Sequence, residues 1–179
     1  MVQFEVESEK VEWEGRLLKA GSETYLYSDG SRHRFDKVWH SGAVTIVPYD
    51  ERYVWLVRQP RPAARIQSCL EIPAGKRDRA DESLLDLAKR ELVEEIGKEA
   101  ADWRVVKAFY PTPGFCDEHI TLFAATGLSD APGGPAPATD HERSPAVTGR
   151  LAHGDLWLSR MPCRRRRRRR CRRWQRRRQ

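Results

Sequence analysis

Three glutamates, Glu91, Glu94 and Glu95, stand at positions i, i+3 and i+4 of the segment 82–98. On an α-helix that spacing turns all three carboxylates to one side. Like charges placed so repel by about 0.2–0.5 kcal/mol per pair on a bare helix. They also fall in the last turn, where the helix dipole disfavours anions. A helix selected for stability alone carries Lys or Arg there. The arrangement becomes favourable when a hard divalent cation bridges the carboxylates, and magnesium is the usual choice where phosphate oxygens share the metal. An isolated Glu-x-x-Glu-Glu is more often a solvated acidic face. This one is set apart by its surroundings: Gly75 in a preceding turn, Glu82, and Arg90, which is within reach of Glu82 and Glu94.

These residues need a helix beneath them, and the sequence supplies one. Leu85, Ala88, Leu92 and Ile96 recur at helical spacing, predicting a helix over 82–97 with Asp81 as N-cap and Gly97 as its stop. Before it, residues 1–36 read as strand, strand, a turn at Asp29 and Gly30, and strand. Residues 43–48 and 53–59 are apolar runs flanking a four-residue turn and predict a buried hairpin; 69–73 is a short strand ended by Pro73. Strands over 103–110 and 119–126 follow, joined by the loop Pro-Thr-Pro-Gly-Phe-Cys-Asp-Glu-His, and 127–146 is rich in Pro, Gly and Ala and reads as loop. Strands, one long helix and strands again predict an α+β chain rather than a regular βαβ repeat.

Composition narrows the classes. Residues 160–179 hold 13 of the 33 basic residues and no acid, so residues 1–159 carry 20 basic against 26 acidic residues, a formal charge of −6. The body is therefore no basic nucleic-acid surface. Cys69, Cys116, Cys163 and Cys171 show no Cys-x-x-Cys pair or zinc spacing, and reduced thiols are expected. No apolar run approaches the roughly 20 residues of a membrane span, and residues 1–10 lack the order of a signal peptide. A cytoplasmic protein is the expectation.

The segment 75–98 resembles the Nudix box, G-x5-E-x7-R-E-U-x-E-E-x-G-U, where U is bulky and apolar. Gly75, Glu82, Arg90, Glu91, Leu92, Glu94, Glu95 and Gly97 fill it. Two departures stand out: six residues rather than five separate Gly75 from Glu82, and Lys98 replaces the final apolar residue. Segments 56–76 and 111–119 are similar to those of ADP-ribose pyrophosphatases. The resemblance implies an α/β/α sandwich with a mixed central sheet, an N-terminal antiparallel sheet over 1–40, and a catalytic domain over 41–143.

It further implies magnesium-dependent hydrolysis of ADP-ribose to AMP and ribose 5-phosphate, with manganese able to substitute. Glu91, Glu95, Glu142 and the Ala74 carbonyl would hold metal, with Glu94 beside them. Glu142, or alternatively Asp140, would activate water, with Glu94 as a further catalytic candidate. Arg61 would contact the diphosphate. Asp117 and Glu118 would face the ribose, and Phe35 and Leu17 would flank the adenine. His40 falls where some relatives carry a substrate-contacting Arg. Gly75, Glu82 and Arg90 would support the site. Relatives build a homodimer from the N-terminal strands. Another nucleotide sugar, such as GDP-mannose, is the alternative substrate.

From about residue 144 this resemblance ends. Residues 144–179 hold one acid, Asp155, and run into the arginines of 164–170 and those around Trp174. Such a run repels itself and lacks apolar residues, so disorder is expected. A reading-frame error, a nucleic-acid-binding tail and a localisation signal are the three readings. The first is preferred because the run begins where relatives have a packed strand and helix.

Overall fold

The computed structural model describes residues 3–79, 81–134 and 149–152. Ten strands surround one α-helix among these residues. The N-terminal strands β1 (Phe4–Glu14), β2 (Lys19–Tyr27) and β3 (Arg32–Trp39) form an antiparallel sheet in that order. Its second turn falls at Asp29 and Gly30 as predicted: Gly30 takes φ 83°, and Asp29 Oδ1 accepts the Ser31 N–H. Phe4, Val6, Val11 and Trp13 of β1 are exposed.

The central sheet runs β7 (Ala74–Lys76), β4 (Ala43–Pro48), β9 (Ile120–Asp130), β8 (Lys98–Phe109). It is mixed: β4 is parallel to β9 and antiparallel to β7, and β8 is antiparallel to β9. Strand β5 (Tyr53–Arg61) lies in a third sheet, between β6 (Ile66–Glu71) and β10 (Gly149–Ala152). The helix α1 (Leu84–Ile96) packs on β4, β7, β8 and β5. The chain is thus α+β, with a helical layer on one face of the mixed sheet; a second helical layer is not among the described residues.

Four expectations are corrected. Strands β4 and β5 do not form a hairpin ladder. The chain does reverse at Asp50, whose carboxylate accepts the N–H groups of Arg52 and Tyr53, but pairing stops at a single Tyr49–Val54 bridge. Both edges of β4 are already taken by β7 and β9, so β5 pairs elsewhere. Strand β9 runs to Asp130, into the predicted loop, because β8 begins directly after the helix at Lys98 and offers a ladder that far. The buried helix stripe includes Leu87, which the i, i+3, i+4 series omitted, while Leu85 is only half-buried, because strands from two sheets cover the helix. Finally, Gly149–Ala152 is not outside the fold: it pairs antiparallel with Tyr53 to Leu56 of β5.

Val44 and Ile46 of β4, Trp55 and Val57 of β5, Leu87, Ala88, Leu92 and Ile96 of α1, and Phe123 and Ala125 of β9 form one apolar cluster. Alternate residues of β4 point into it, the pattern of a strand with one face on a helix. Each fully buried aliphatic side chain contributes about 1.5–3 kcal/mol. This core holds the acidic end of α1 against β7.

Candidate active site

The helix begins at Ser83, not at Asp81 as predicted. Ser83 is extended, its hydroxyl oxygen accepts the Asp86 N–H at 3.1 Å, and it donates to Asp86 Oδ2 at 2.6 Å. Asp81 lies too early to reach those amides. At the other end Gly97 is left-handed, with φ 66°, and its N–H closes on the Leu92 and Val93 carbonyls. Lys98 fits the apolar position of the motif because its stem is covered: Nζ sits 5.8 Å from the Trp55 ring centre and is paired to Asp130.

Glu91 is buried and lies over Gly75. A β-carbon on Gly75 would stand 2.2 Å from the Glu91 carboxyl carbon. Glu95 Oε2 accepts the Ala74 N–H at 3.0 Å. Two carboxylates one helical turn apart are therefore seated on adjacent residues of β7. The resemblance implied the Ala74 carbonyl as a metal ligand; the contact made here is by its N–H.

Arg90 organises the rest. Its guanidinium donates to both oxygens of Glu82 at 2.9 Å, to Asp78 Oδ1 at 3.1 Å, to Glu91 Oε1 at 3.0 Å and to Glu94 Oε2 at 3.4 Å. The hydrogen bonds from Arg90 hold the Glu82 carboxyl below its ordinary pKa, and Glu82 in turn raises that of Arg90. The ion pair between Glu82 and Arg90 explains how one extra loop residue is absorbed.

The donor set fits a hard divalent cation: oxygen ligands from adjacent carboxylates on a rigid helix, beside backbone groups of β7. Among the described residues no three acidic side chains converge on one point, since Arg90 and the Ala74 N–H hold them. Glu91 and Glu95 are the residues that would hold such a cation, and Glu91 would then exchange the contact it now makes with Arg90. Glu142 and Asp140 lie outside the described residues.

Arg61 ends β5 and donates to Glu71 of β6, Nε to Oε1 at 2.8 Å, with a second bond from Nη2 to Oε2. Gln59 Nε2 adds a bond to Glu71 at 3.0 Å. The Arg61 hydrogen bonds hold the Glu71 carboxyl below its usual range, and the charge of Glu95 also acts on Arg61. Arg61 is thus fixed within the field of the acidic helix end. Sequence reasoning missed Glu71; the signal was a lone acid in the apolar run Cys-Leu-Glu-Ile-Pro.

A cleft of about 410 Å³ opens between the N-terminal sheet and the loop 111–119. Tyr25, Phe35, Tyr110 and Phe115 supply aromatic walls, and Lys37 and Asp117 supply charge. Phe35 and Asp117, singled out from sequence, meet here; Tyr25, Lys37, Tyr110 and Phe115 were not foreseen. Leu17 lines a neighbouring cleft of about 330 Å³ with His40, Lys76 and Asp117. Asp117 Oδ1 accepts the His40 N–H at 2.7 Å, and Oδ2 lies 3.4 Å from Lys37 Nζ, so this carboxylate anchors its own loop. His40 Nδ1 accepts the Gly42 N–H at 3.1 Å, while Glu118 Oε1 is 3.7 Å from the same nitrogen. Only the first is within hydrogen-bond distance.

A family model described as NUDIX domain matches residues 39–160. The chain belongs to the NUDIX domain family. The match passes residue 144, so the resemblance does not stop there, and β10 lies inside it. This Nudix hydrolase is 34% identical over 129 residues to the methanol dehydrogenase activator of Bacillus methanolicus, covering 70% of this chain and 69% of that protein. It is 34% identical over 116 residues to an ADP-ribose pyrophosphatase of Bacillus subtilis, covering 64% and 62%. An ADP-ribose pyrophosphatase of Mycobacterium tuberculosis is 36% identical over 113 residues, covering 63% and 53%. The chain thus spans between 53% and 69% of the length of these relatives. A crystal structure of an ADP compounds hydrolase superposes with a TM-score of 0.67 at 22% identity, covering 84% of this Nudix chain and 78% of that one, which shows the shared fold. Among the described residues no helix is long and apolar enough to cross a membrane.

Proposed function

We propose that this Nudix hydrolase cleaves the diphosphate of ADP-ribose or a related nucleoside diphosphate sugar, with magnesium, releasing AMP and the sugar phosphate. One observation carries the reading: Glu91 and Glu95 are seated on Gly75 and Ala74 of β7, with Arg61 held in the electrostatic field of Glu95. This supports reading the two carboxylates as oxygen ligands for a cation and the guanidinium as a contact for phosphate oxygens.

In this reading Glu91, Glu95 and the Ala74 carbonyl hold the cation, with Glu94 beside them. A cation held by these groups would supply charge neutralisation for the diphosphate and would lower the pKa of a nearby water. Glu142 positions that water and accepts its proton, with Asp140 as the alternative base. Water oxygen bonds to one phosphorus as the bridging P–O bond breaks, leaving two phosphomonoesters. Arg61 binds the non-bridging oxygens as their charge grows. The adenine stacks in the aromatic cleft at Phe35, and His40 and Glu118 lie toward the ribose side. The N-terminal sheet, with its exposed Phe4, Val6, Val11 and Trp13, serves as the dimerisation element.

A panel of ADP-ribose, GDP-mannose and other nucleotide sugars, assayed with magnesium for release of the nucleoside monophosphate, tests the proposal. Fastest turnover of ADP-ribose is expected. Magnesium-dependent turnover confined to a compound without a diphosphate sugar would overturn it.

A further inference from the structure

The N-terminal sheet buries an ion pair that the proposed chemistry does not use. Glu23 of β2 is 4% exposed, and Ser22 beside it is 5% exposed. Glu23 accepts from Lys37 Nζ at 2.9 Å and from the Tyr25 hydroxyl. A buried carboxylate is costly unless paired, so this one fixes the ammonium that pairs it. Lys37 lies on β3, where its neighbour in the ladder across from Glu23 is Phe35, and its ammonium is 5.4 Å from the Trp39 ring centre. With its position set, Lys37 Nζ faces Asp117 Oδ2 at 3.4 Å. Asp117 anchors the loop 111–119. Its other oxygen takes the His40 N–H, its own N–H reaches the Val38 carbonyl at 3.2 Å, and the Val38 N–H reaches Phe115 at 2.7 Å. The chain from Glu23 through Lys37 to Asp117 ends in the wall of the aromatic cleft that carries Phe115.

We propose that Glu23 and Lys37 are positioning residues: the buried Glu23 orients Lys37, Lys37 holds Asp117, and Asp117 docks the loop 111–119 so that the cleft is shaped to receive the nucleoside part of the ligand. The inference rests on the reading of this cleft as a nucleoside site. It assigns to Glu23, which does not line the cleft, a share in ligand binding exerted through Lys37 and Asp117, which do.

The test uses the full chain and the variants Lys37→Met, Lys37→Arg, Glu23→Gln, Asp117→Asn and the double variant Lys37→Met/Asp117→Asn. Amide hydrogen exchange at Val38, His40 and Asp117 reports loop docking without any substrate. Steady-state kinetics with ADP-ribose report its consequence. Lys37→Met and Glu23→Gln are expected to speed exchange at these amides and to raise KM about tenfold with kcat within about twofold, the signature of lost binding that is equal in ground and transition states. Lys37→Arg should restore most of both. The double variant should be no worse than Asp117→Asn alone, because Lys37 acts through Asp117. Unchanged exchange in Lys37→Met overturns the proposal, as does faster exchange with unchanged KM, or additive effects in the double variant. Should Lys37→Met fail to fold, Asp117→Asn against Lys37→Arg decides by the same two readouts. If the parent does not turn over ADP-ribose, the functional reading fails; AMP binding followed by Trp39 fluorescence then replaces KM, and the exchange data still judge the docking.

Discussion

The carboxyl carbon of Glu91 occupies the space that a β-carbon on Gly75 would need, 2.2 Å from that position. Glycine is required here by the side chain of a helix that begins nine residues later, not by its own backbone angles. The turn and the helix are thereby locked in one register, and the acidic helix end cannot rotate without losing its seat.

Gly75→Ala is therefore expected to leave the fold in place and push Glu91 off β7. Catalysis that depends on Glu91 as a ligand should fall on the order of 100-fold, the usual consequence of a misplacement near 1 Å. Parent-like circular dichroism with kcat/KM within about threefold of the parent would show that the seat does not matter.

Glu95→Gln keeps an oxygen for the Ala74 N–H and removes only the charge. Stability should barely change, while magnesium-dependent turnover should drop by about two to three orders of magnitude, the equivalent of several kcal/mol of transition-state stabilisation. Near-normal magnesium-dependent activity in this variant would contradict the metal assignment.

Arg90→Met strips four carboxylates of a shared cation, among them the buried Glu91. Breaking a buried ion pair by removing one partner costs about 3 kcal/mol, and Tm should fall by roughly 6–12 °C for a chain of this size. Thermal unfolding at neutral pH measures it; a shift under about 2 °C would mean the cluster is solvated rather than structural.

Glu23 carries a pH signature. Burial pushes its carboxyl up, but Lys37 and Tyr25 outweigh that, and it ends below the ordinary 4.5. A depressed folded pKa contributes stability above the unfolded value and loses it as pH falls through the folded one. Unfolding of the parent should ease as pH drops below 4.5, and Glu23→Gln should lose less over the same range. Parallel curves for the two proteins would refute this.

Much of the site was legible because helical geometry is local. The spacing of Glu91, Glu94 and Glu95, the stop at Gly97 and the reach of Arg90 to Glu82 all follow from residues within a few turns of one another. What escaped was set by pairing across the chain. Nothing near Tyr53 says that β5 abandons β4, because the competitors for β4 lie at 74–76 and 120–125. Glu71 and Lys37 were passed over for the same reason: each looks like an ordinary strand residue until its partner, Arg61 or Asp117, is brought across. The cap went to Ser83 over Asp81 by a choice between two good capping residues that only the helix start decides.

The turn between Gly75 and Glu82 is one residue longer than the motif, yet Glu82 still reaches Arg90 with both oxygens. The two ends of that turn are gripped independently, one by the Glu91 side chain and the other by a guanidinium. Its length is therefore a free variable for evolution and for the engineer. Doubling it would cost only about 0.6 kcal/mol of closure entropy, so an insertion after residue 79 that leaves Asp78 on Arg90 would place a grafted reporter or specificity loop close to the acidic helix end.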